Sequence, residues 1–392
     1  MIDFDFVSPT KIFFGRGKEA KAGEILRSYG AKNVLIVYGS DRVRMSGLLG
    51  KVEASILSNG IGYRELNGIR PNPTSDKVME GVALARKEEV DYVLAVGGGS
   101  VIDTAKAVSA GFFYDGDPFD FNLKKAIPQK ALPIGVVLTI SSAGSEASNS
   151  CVIQDDSLSI KQGFNSDLVR PQFAIENPEL TFSVPPYQTF AGISDIMMHS
   201  LERYFDPGDG DELADDWALD LVKSCVKMAK RLQADPSDYQ ARARIMLNST
   251  LSHNGLTGLG KKFFFVVHPL EHALSGYAPK VTHGAGVALI FPAWAKYTIK
   301  QNEAKLAKMG RVVFDINADN DAEAAIISVE SIREFFLSIG MPGSLNELGM
   351  TKKDIEPLAN LASGNGTRVI GCYPQSLGKQ DIEAIFLSLL AD

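Results

Sequence analysis

Three short apolar runs in the first half of the chain end in glycine or hydroxyl residues, and a helical pattern lies between the first two. The runs read NVLIVYG (33–39), DYVLAVGGGS (91–100) and LPIGVVLTISS (132–142), and the helical pattern reads KVMEGVALARKEEV (77–90). Strands that alternate with helices form parallel βαβ units, with helices on both faces of the sheet. This half of the chain therefore predicts an α/β domain built on a parallel sheet.

From about residue 185 the apolar residues change to helical spacing. The segments 215–233, 239–258 and 322–340 carry apolar residues three and four positions apart, with almost no strand signal between them. We therefore predict two domains, an α/β domain over residues 1–183 and an all-helical domain over residues 184–392.

The composition argues against several classes of protein. The formal net charge is −7, whereas nucleic-acid-binding domains usually carry a basic surface. The apolar runs are far shorter than a membrane span, and the N-terminal sequence MIDFDFVSPTK lacks the features of a signal peptide. The three cysteines, Cys151, Cys225 and Cys372, have neither metal-site spacing nor an even count for disulfides. We expect a cytoplasmic protein that binds neither nucleic acid nor membranes, in which histidines and carboxylates hold any metal.

A glycine-rich turn follows the second apolar run. Gly97, Gly98, Gly99 and Ser100 lead directly into a helical pattern, and a helix N-terminus preceded by glycines offers free N–H groups to phosphate oxygens. The alternative is a tight strand-to-helix turn without a ligand, because the spacing matches neither the G-x-G-x-x-G pattern nor a Walker loop. A second loop, TISSAGSEAS (139–148), follows the third run. Loops at the carboxyl ends of parallel strands are where open α/β sheets bind nucleotides.

Four of the five histidines fall in two short segments of the helical half. Asp195 and His199 are four residues apart, which places them on one face of a helix, although such a pair is also common as a surface hydrogen bond. His268 lies on a second helical pattern, and Pro279 ends that pattern before His283. Two helices that meet at a tight turn can bring His268 and His283 to one point, with Asp195 and His199 on the other side. One carboxylate with three imidazoles suits Fe²⁺ or Zn²⁺.

Three neighbouring residues each have two alternative roles. Glu202 and Glu271 each lie three residues after a candidate histidine, so they either orient these ligands or lie on the surface. His253, at the end of a helical pattern with no partner nearby in sequence, is interpreted as a structural or solvated residue.

The ordered set of motifs resembles the iron-containing alcohol dehydrogenase family, in particular its butanol-dehydrogenase-like members. The resemblance spans nearly the whole chain and includes PTKIFFGRGK (9–18), GGGSVIDTAKAV (97–108), SAGSEAS (142–148), DIMMHSLERYF (195–205), HPLEHALSGY (268–277) and THGAGVALIFPAW (282–294). It implies a dehydroquinate synthase-like fold, in which an N-terminal α/β domain binds the dinucleotide and a C-terminal helical domain binds the metal in the cleft between them.

The resemblance also implies specific site residues. The metal ligands would be Asp195, His199, His268 and His283, and His272 would lie beside the metal and the nicotinamide. From that position His272 is our candidate to relay the proton, with a chain of water molecules as the alternative. The metal would polarise the substrate oxygen while a hydride passes between substrate and nicotinamide. The residues expected to bind the cofactor are Gly39, Ser40, Asn72, Gly97, Gly98, Gly99, Ser100, Asp103, Thr139, Ser142 and Lys161.

The choice of cofactor depends on the turn after the first apolar run. Gly39 and Ser40 supply no acidic side chain for a ribose hydroxyl, and Arg42 and Arg44 could pair with a 2′-phosphate, whereas Asp41 favours the opposite choice. We expect NADP(H) ahead of NAD(H), with Fe²⁺ or Zn²⁺ as the metal.

The expected reaction interconverts a small primary alcohol and its aldehyde, because apolar and aromatic stretches flank the metal motifs. The alternatives are a polyol dehydrogenase of the glycerol type, a dehydroquinate-synthase-like lyase on the same fold, and a nucleotide-binding protein without metal. We also expect a homodimer, in which the N-terminal segment VSPTKIFFG (7–15) pairs across a two-fold axis.

Overall fold

The apolar runs of the first half form the centre of a parallel sheet. The computed structural model describes residues 1–206, 212–372, 374 and 376–391, and it divides into an α/β unit (residues 8–184) and a helical unit (residues 1–7 and 185 onwards). The strands of the α/β unit are Lys11–Phe14 (β1), Asn33–Tyr38 (β2), Gly62–Leu66 (β3), Tyr92–Gly97 (β4), Ile134–Leu138 (β5), Ser150–Asp155 (β6), Ile160–Asn165 (β7) and Phe173–Glu176 (β8).

Six of these strands form one sheet in the order β1-β8-β5-β4-β2-β3, and every neighbouring pair is parallel. The connection from β2 goes outward to β3, and the chain then crosses to the other side of β2 to form β4 and β5. The carboxyl ends of β2 and β4 therefore flank a topological switch point, where open α/β sheets bind ligands. Strands β6 and β7 form a separate antiparallel hairpin.

Helices cover the sheet, as the alternating pattern predicts. They are Ala22–Ser28 (α1), Arg42–Met45 (α2), Leu48–Ser58 (α3), Ser75–Lys87 (α4), Gly99–Gly111 (α5) and Phe119–Asn122 (α6). The predicted parallel α/β sheet is confirmed, and α5 begins at the glycine-rich turn. Burial is complete for the β4 residues and for Val34–Tyr38 of β2, because the sheet has helices on both faces.

The second unit is helical, which confirms the other half of the predicted fold class. Its helices are Pro186–Tyr204 (α7), Glu212–Ala234 (α8), Tyr239–His253 (α9), Val267–Tyr277 (α10), His283–Tyr297 (α11), Ile299–Phe314 (α12), Asp321–Ser338 (α13), Ile355–Ser363 (α14) and Lys379–Leu387 (α15). Helix α7 is its central element, since its residues from Thr189 to Tyr204 are all buried. Within the described residues, no helix combines the length and apolar character needed to cross a membrane.

The N-terminal residues differ from the predicted division at residue 183. Residues 1–7 belong to the helical unit, because the N–H of Ile2 donates to the carbonyl oxygen of Gly260 at 3.0 Å and Phe6 packs against Gly255. The α/β unit ends at residue 184. Sequence patterns could not reveal this packing, because it joins segments about 250 positions apart.

Candidate metal centre and cofactor site

Helix α7 presents Asp195 and His199 on one buried face. Asp195 is 1% exposed and His199 is 5% exposed. The Nδ1 of His199 lies 2.9 Å from the backbone carbonyl oxygen of Asp195 and 3.2 Å from its Oδ1. An Nδ1–H that donates to a carbonyl fixes the ring so that Nε2 keeps its lone pair, the arrangement common in metal-binding histidines.

Two further imidazoles converge on the same carboxylate. The Nε2 atoms of His268, on α10, and His283, the first residue of α11, each lie 3.6 Å from Asp195 Oδ1. Their rings are 5.3 Å apart between centroids, and the ring of His268 is 4.4 Å from that of His199. The structure thus brings together all four residues that the sequence analysis proposed as metal ligands.

Two buried glutamates hold the outer nitrogens of these rings. Glu202 contacts Nδ1 of His268 and Glu271 contacts Nδ1 of His283, and the two residues are 4% and 0% exposed. The alternative that these glutamates lie on the surface is therefore wrong. A carboxylate on Nδ1 directs Nε2 toward the centre of the cluster and makes it a better electron donor.

Glu202 has a second role at the start of α10. Its carboxylate accepts the backbone N–H of Val267 at 2.6 Å and that of His268 at 3.2 Å, and it also contacts the N–H of Val266. A carboxylate at a helix N-terminus satisfies donors that have no partner within the helix. One side chain of α7 therefore fixes both the start of α10 and the orientation of His268.

A glycine sets the distance between α11 and α7. A Cβ added to Gly284 would lie 1.9 Å from the backbone oxygen of Ala191, so the two helix backbones are in contact at this point. Ala191 precedes Asp195 by one helical turn, and Gly284 follows His283 directly. The close approach therefore brings His283 to the carboxylate of Asp195.

The cluster fits a divalent cation. In the part of the chain that the structure describes, the buried Nε2 of His268 has no hydrogen-bond partner, which is rare for a buried polar atom without an ion or water. The groups Asp195, His199 and His268 can place one ligand atom each within 4.8 Å of one another. One carboxylate with three imidazoles matches the ligand preference of Fe²⁺ or Zn²⁺.

Burial and charge set the protonation of these groups. Burial lowers the pKa of His199 to about 4, so this ring is neutral at pH 7 and can donate its lone pair. Burial would also lower the pKa of His268, but the carboxylates of Glu202 and Asp195 outweigh it and raise that pKa to about 9. Burial alone would raise the pKa of Asp195, yet the imidazoles of His199 and His283 hold it well below its ordinary value. A cation that binds here displaces the proton of His268.

His253 is half-buried and lies against this cluster, so of its two predicted roles the structure favours the structural one over the solvated one. It ends α9, its ring meets that of His199 edge-on at 4.1 Å, and the guanidinium of Arg203 lies 3.4 Å from its Nδ1. Arg203 is 4% exposed and lies against the rings of Phe263 and Phe265, at 4.9 and 5.0 Å. No spacing in the sequence signals this contact, because 54 positions separate His253 from His199.

His272 is close to the cluster without joining its centre. It is half-buried on α10, and its ring lies 5.6 Å from that of His283 and 6.3 Å from that of His268. Together with Glu271 and His283 it forms a second group that could hold a cation. The proton-relay role of His272 stays a prediction.

In the α/β unit, the glycine-rich turn has the close packing that requires glycine. A Cβ on Gly97 would lie 2.5 Å from Val101 Cγ2, and one on Gly98 would lie 2.0 Å from Ile140 Cγ2. Gly98 precedes the first residue of α5. Bare backbone at a helix N-terminus forms a cradle that fits phosphate oxygens.

The other predicted cofactor residues belong to the same unit. The N–H of Thr139 donates to the carbonyl oxygen of Gly97 at 3.1 Å, which places the second loop beside the glycine-rich turn. A Cβ on Gly39, after β2, would lie 3.8 Å from Val101 Cγ2, so this turn is adjacent too. The remaining predicted cofactor residues are Ser40 (exposed), Ser100, Asp103 and Ser142 (half-buried), Lys161 on β7 (half-buried) and Asn72 (6% exposed, with φ of 55°).

The two arginines after β2 differ in their surroundings. Arg44 contacts the carboxylates of Glu53, at 3.2 Å, and Glu65, and its Nη2 lies 3.4 Å from the hydroxyl of Tyr38. Arg42 is exposed, and no ion pair between described residues includes it. Arg42 therefore has no competing carboxylate among these residues, whereas Arg44, which is also exposed, would have to leave Glu53 and Glu65 to contact an external phosphate.

Comparison with known proteins agrees with this geometry. Residues 9–178 match the family model for iron-containing alcohol dehydrogenase, and residues 189–390 match the model for the C-terminal part of the Fe-containing alcohol dehydrogenase family. The NADH-dependent butanol dehydrogenase A of Clostridium acetobutylicum is 38% identical over 388 residues, covering 98% of this chain and 99% of that protein. The NADPH-dependent aldehyde reductase of Escherichia coli is 30% identical, and the alignment covers 95% of each of the two chains.

Solved structures give the same result. The crystal structure of an NADH-dependent butanol dehydrogenase A from Thermotoga maritima superimposes on this chain with a TM-score of 0.96 at 34% sequence identity. The superposition covers 100% of this chain and 99% of the Thermotoga maritima chain. The predicted dehydroquinate synthase-like fold and the predicted class of NAD(P)-dependent alcohol dehydrogenase are confirmed. With both halves matched by family models and relatives above 30% identity over nearly full length, the chain belongs to the iron-containing alcohol dehydrogenase family.

Proposed function

We propose that this protein interconverts small primary alcohols and aldehydes with NADP(H), at a divalent cation held by Asp195, His199, His268 and His283. The observation that carries the proposal is the convergence of three imidazoles on one buried carboxylate. Fe²⁺ or Zn²⁺ fits this set, and a bound cation would supply Lewis-acid polarisation of the substrate oxygen while the nicotinamide supplies the hydride.

The protein groups hold the charge that this chemistry needs. Three neutral imidazoles and one carboxylate leave a divalent site with a net charge of about +1, which favours an oxygen that becomes negative. Glu202 and Glu271 orient two of the imidazoles from behind. His272, half-buried and 5.6 Å from His283 between ring centroids, is proposed to hold or pass the proton of the substrate hydroxyl.

We further propose a division of labour between the two units. The α/β unit binds the dinucleotide, with its pyrophosphate at Gly97–Ser100 and with contacts from Gly39, Ser40, Asn72, Asp103, Thr139, Ser142 and Lys161. The helical unit holds the cation. The support for this assignment is the glycine cradle at the start of α5 in one unit and the imidazole cluster in the other.

The preference for NADP(H) over NAD(H) is proposed to depend on Arg42, since the carboxylates of Glu53 and Glu65 already engage Arg44. A charge-assisted hydrogen bond contributes about 1.5–3 kcal/mol, so Arg42→Ser should weaken NADPH binding by roughly 10- to 100-fold and leave NADH binding unchanged. Arg27→Ser, which removes an exposed arginine from α1, is the matched control. Equal effects on both cofactors, or none, would rule out this assignment.

A homodimer is proposed from the edge of the sheet. Among the described strands β1 pairs only with β8, and the preceding residues include the exposed side chains of Ile2, Phe4 and Phe6. The N–H groups of Lys11 and Gly15 point toward β8, so that of Ile12 faces the free edge. Ile12→Pro should therefore reduce the mass measured by light scattering from two chains to one. An unchanged mass would place any interface elsewhere.

Turnover tests the proposed activity directly. We expect oxidation of NADPH by butanal, followed at the nicotinamide absorbance band, after Fe²⁺ or Zn²⁺ is added to metal-free protein. Glycerol oxidation at a higher kcat/KM would favour the polyol alternative, and no turnover with either metal would contradict the proposal.

A cytoplasmic location is also proposed, on the basis of the three widely separated cysteines.

A further inference from the structure

A fully buried lysine of the α/β unit lies outside the proposed reaction. Lys106 is on α5 and is 0% exposed. Its Nζ donates to the hydroxyls of Ser145 and Ser148, at 2.8 and 3.2 Å, and to the carbonyl oxygens of Ser148 and Ser150, at 3.0 and 2.8 Å. These acceptors all belong to the segment between β5 and the start of β6. The ammonium group therefore ties α5 to this segment.

Asp103, one helical turn earlier on α5, binds the same segment. Its Oδ1 accepts the hydroxyl of Ser145 at 2.6 Å, and its Oδ2 accepts the N–H of Val152 at 3.0 Å. The Ser145 hydroxyl thus accepts from the ammonium of Lys106 and donates to the carboxylate of Asp103. A buried charge without its partner is costly, so each group requires the other. We call Asp103, Lys106, Ser145 and Ser148 the α5 clamp.

The clamped segment lies directly against the glycine-rich turn. A Cβ added to Gly98 would lie 2.0 Å from Ile140 Cγ2, and a Cβ added to Gly99 would lie 3.4 Å from the Cβ of Ala143. The turn, Asp103 and Lys106 follow one another along α5. The loop at residues 139–148 therefore cannot move relative to the turn without breaking hydrogen bonds of the clamp.

The sheet order indicates which half of a dinucleotide meets this loop. Strand β4 carries the glycine-rich turn and lies between β2 and β5. If the pyrophosphate is at this turn and the adenosine ribose is at the turn after β2, the nicotinamide half must extend over β5. The loop that follows β5 begins at Thr139.

We propose that Lys106 is a positioning residue for the nicotinamide half of the cofactor, acting through Ser145 and Ser148 on the loop at residues 139–148. Lys106 does not touch the cofactor, because its side chain is fully buried. This inference rests on the proposed function, since it assumes that the α/β unit binds a dinucleotide. It predicts a loss of affinity confined to one half of the ligand.

Two ligands separate positioning from general stability. NADPH carries the nicotinamide half, and 2′-phospho-ADP-ribose lacks the nicotinamide ring. For Lys106→Met in metal-free protein, we expect NADPH affinity to fall by roughly 10-fold or more, the scale of one unsatisfied buried group, and 2′-phospho-ADP-ribose affinity to change by less than about 2-fold. Equal weakening of both ligands would show a purely structural role and overturn the inference.

A milder variant covers the case in which Lys106→Met fails to fold. Ser145→Ala keeps both charges and removes only the hydroxyl between them, and the same selective loss of NADPH affinity is expected. Ser58→Ala, at the exposed last residue of α3, is the control that should leave both affinities unchanged. If Ser145→Ala binds NADPH as tightly as the wild type, the inference about Lys106 is overturned but the proposed function is not. If the wild-type protein binds neither ligand, both the inference and the proposed function are overturned.

Discussion

The contact between α11 and α7 gives the most specific prediction, Gly284→Ala. The new Cβ would lie 1.9 Å from the backbone oxygen of Ala191, 2.5 Å from its carbonyl carbon and 3.1 Å from its Cα. Carbon–oxygen contacts in proteins are about 3.3 Å or longer, so the start of α11 must move by about 1.4 Å. A backbone oxygen within α7 cannot rotate away as a flexible side chain would.

This displacement acts on a metal ligand. His283 precedes Gly284, and its Nε2 is 3.6 Å from Asp195 Oδ1. Metal–ligand distances tolerate only about 0.2 Å of variation, so a shift of about 1.4 Å removes His283 from the ligand set. Loss of an orienting partner alone costs about 10- to 100-fold in metal affinity, and loss of the ligand should cost at least about 100-fold. Overpacking should also destabilise the fold by about 1–3 kcal/mol.

The assay is a Zn²⁺ titration of metal-free protein against a chromophoric chelator, with thermal unfolding in parallel. His283→Ala gives the affinity expected when the ligand is absent. Gly50→Ala on α3 is the control, because no heavy atom lies within 4 Å of its added Cβ, and its metal affinity should be unchanged. Wild-type Zn²⁺ affinity in a folded Gly284→Ala protein would refute the argument that this helix contact positions His283.

Three further predictions concern other residues. Glu202→Gln should weaken Zn²⁺ binding by about 10- to 100-fold in the same chelator competition, since an amide cannot accept every N–H that the carboxylate now accepts; an unchanged affinity would contradict its orienting role. His268→Ala should abolish reduction of butanal while fluorescence titration shows nearly unchanged NADPH binding. A parallel loss of both in a protein that still unfolds cooperatively would mean that the two sites are misassigned, and without cooperative unfolding it would mean that the fold has collapsed. Burial lowers the pKa of Lys106 to about 8, below the unfolded value of about 10.4, so between these values the unfolded chain binds more protons. The free energy of unfolding of the wild type relative to Lys106→Met should therefore rise by up to about 3 kcal/mol from pH 8 to pH 10.5, and denaturant unfolding that shows a flat or falling difference would contradict this.

The central strands of the sheet could be predicted because burial on both faces requires continuous apolar runs. Strands β2, β4 and β5 are buried along their whole length except at Asn33, the first residue of β2, and they lie side by side. The edge strand β3 reads GYREL and buries only Leu66, so it carries too little hydrophobic signal to be recognised. The hairpin β6–β7 is tied to α5 through its backbone, since the carbonyl oxygen of Ser150 accepts from Lys106 and the N–H of Val152 donates to Asp103. A sequence pattern does not reveal these contacts.

The candidate metal ligands could be predicted because a helix turns local spacing into proximity. Asp195 and His199 are one turn apart, and the break at Pro279 allows a second helix to start at His283. Contacts made only by tertiary packing could not be predicted in this way. His253 reaches His199 from a different helix, and the inward position of Glu271 depends on how α10 packs.

Anomalous diffraction from crystals grown with Zn²⁺ tests the central claim most directly. A strong peak at the zinc edge is expected about 2.0–2.2 Å from the Nε2 atoms of His199, His268 and His283 and from a carboxylate oxygen of Asp195. A peak held instead by Glu271 and His272, or none at these four side chains, would contradict the account.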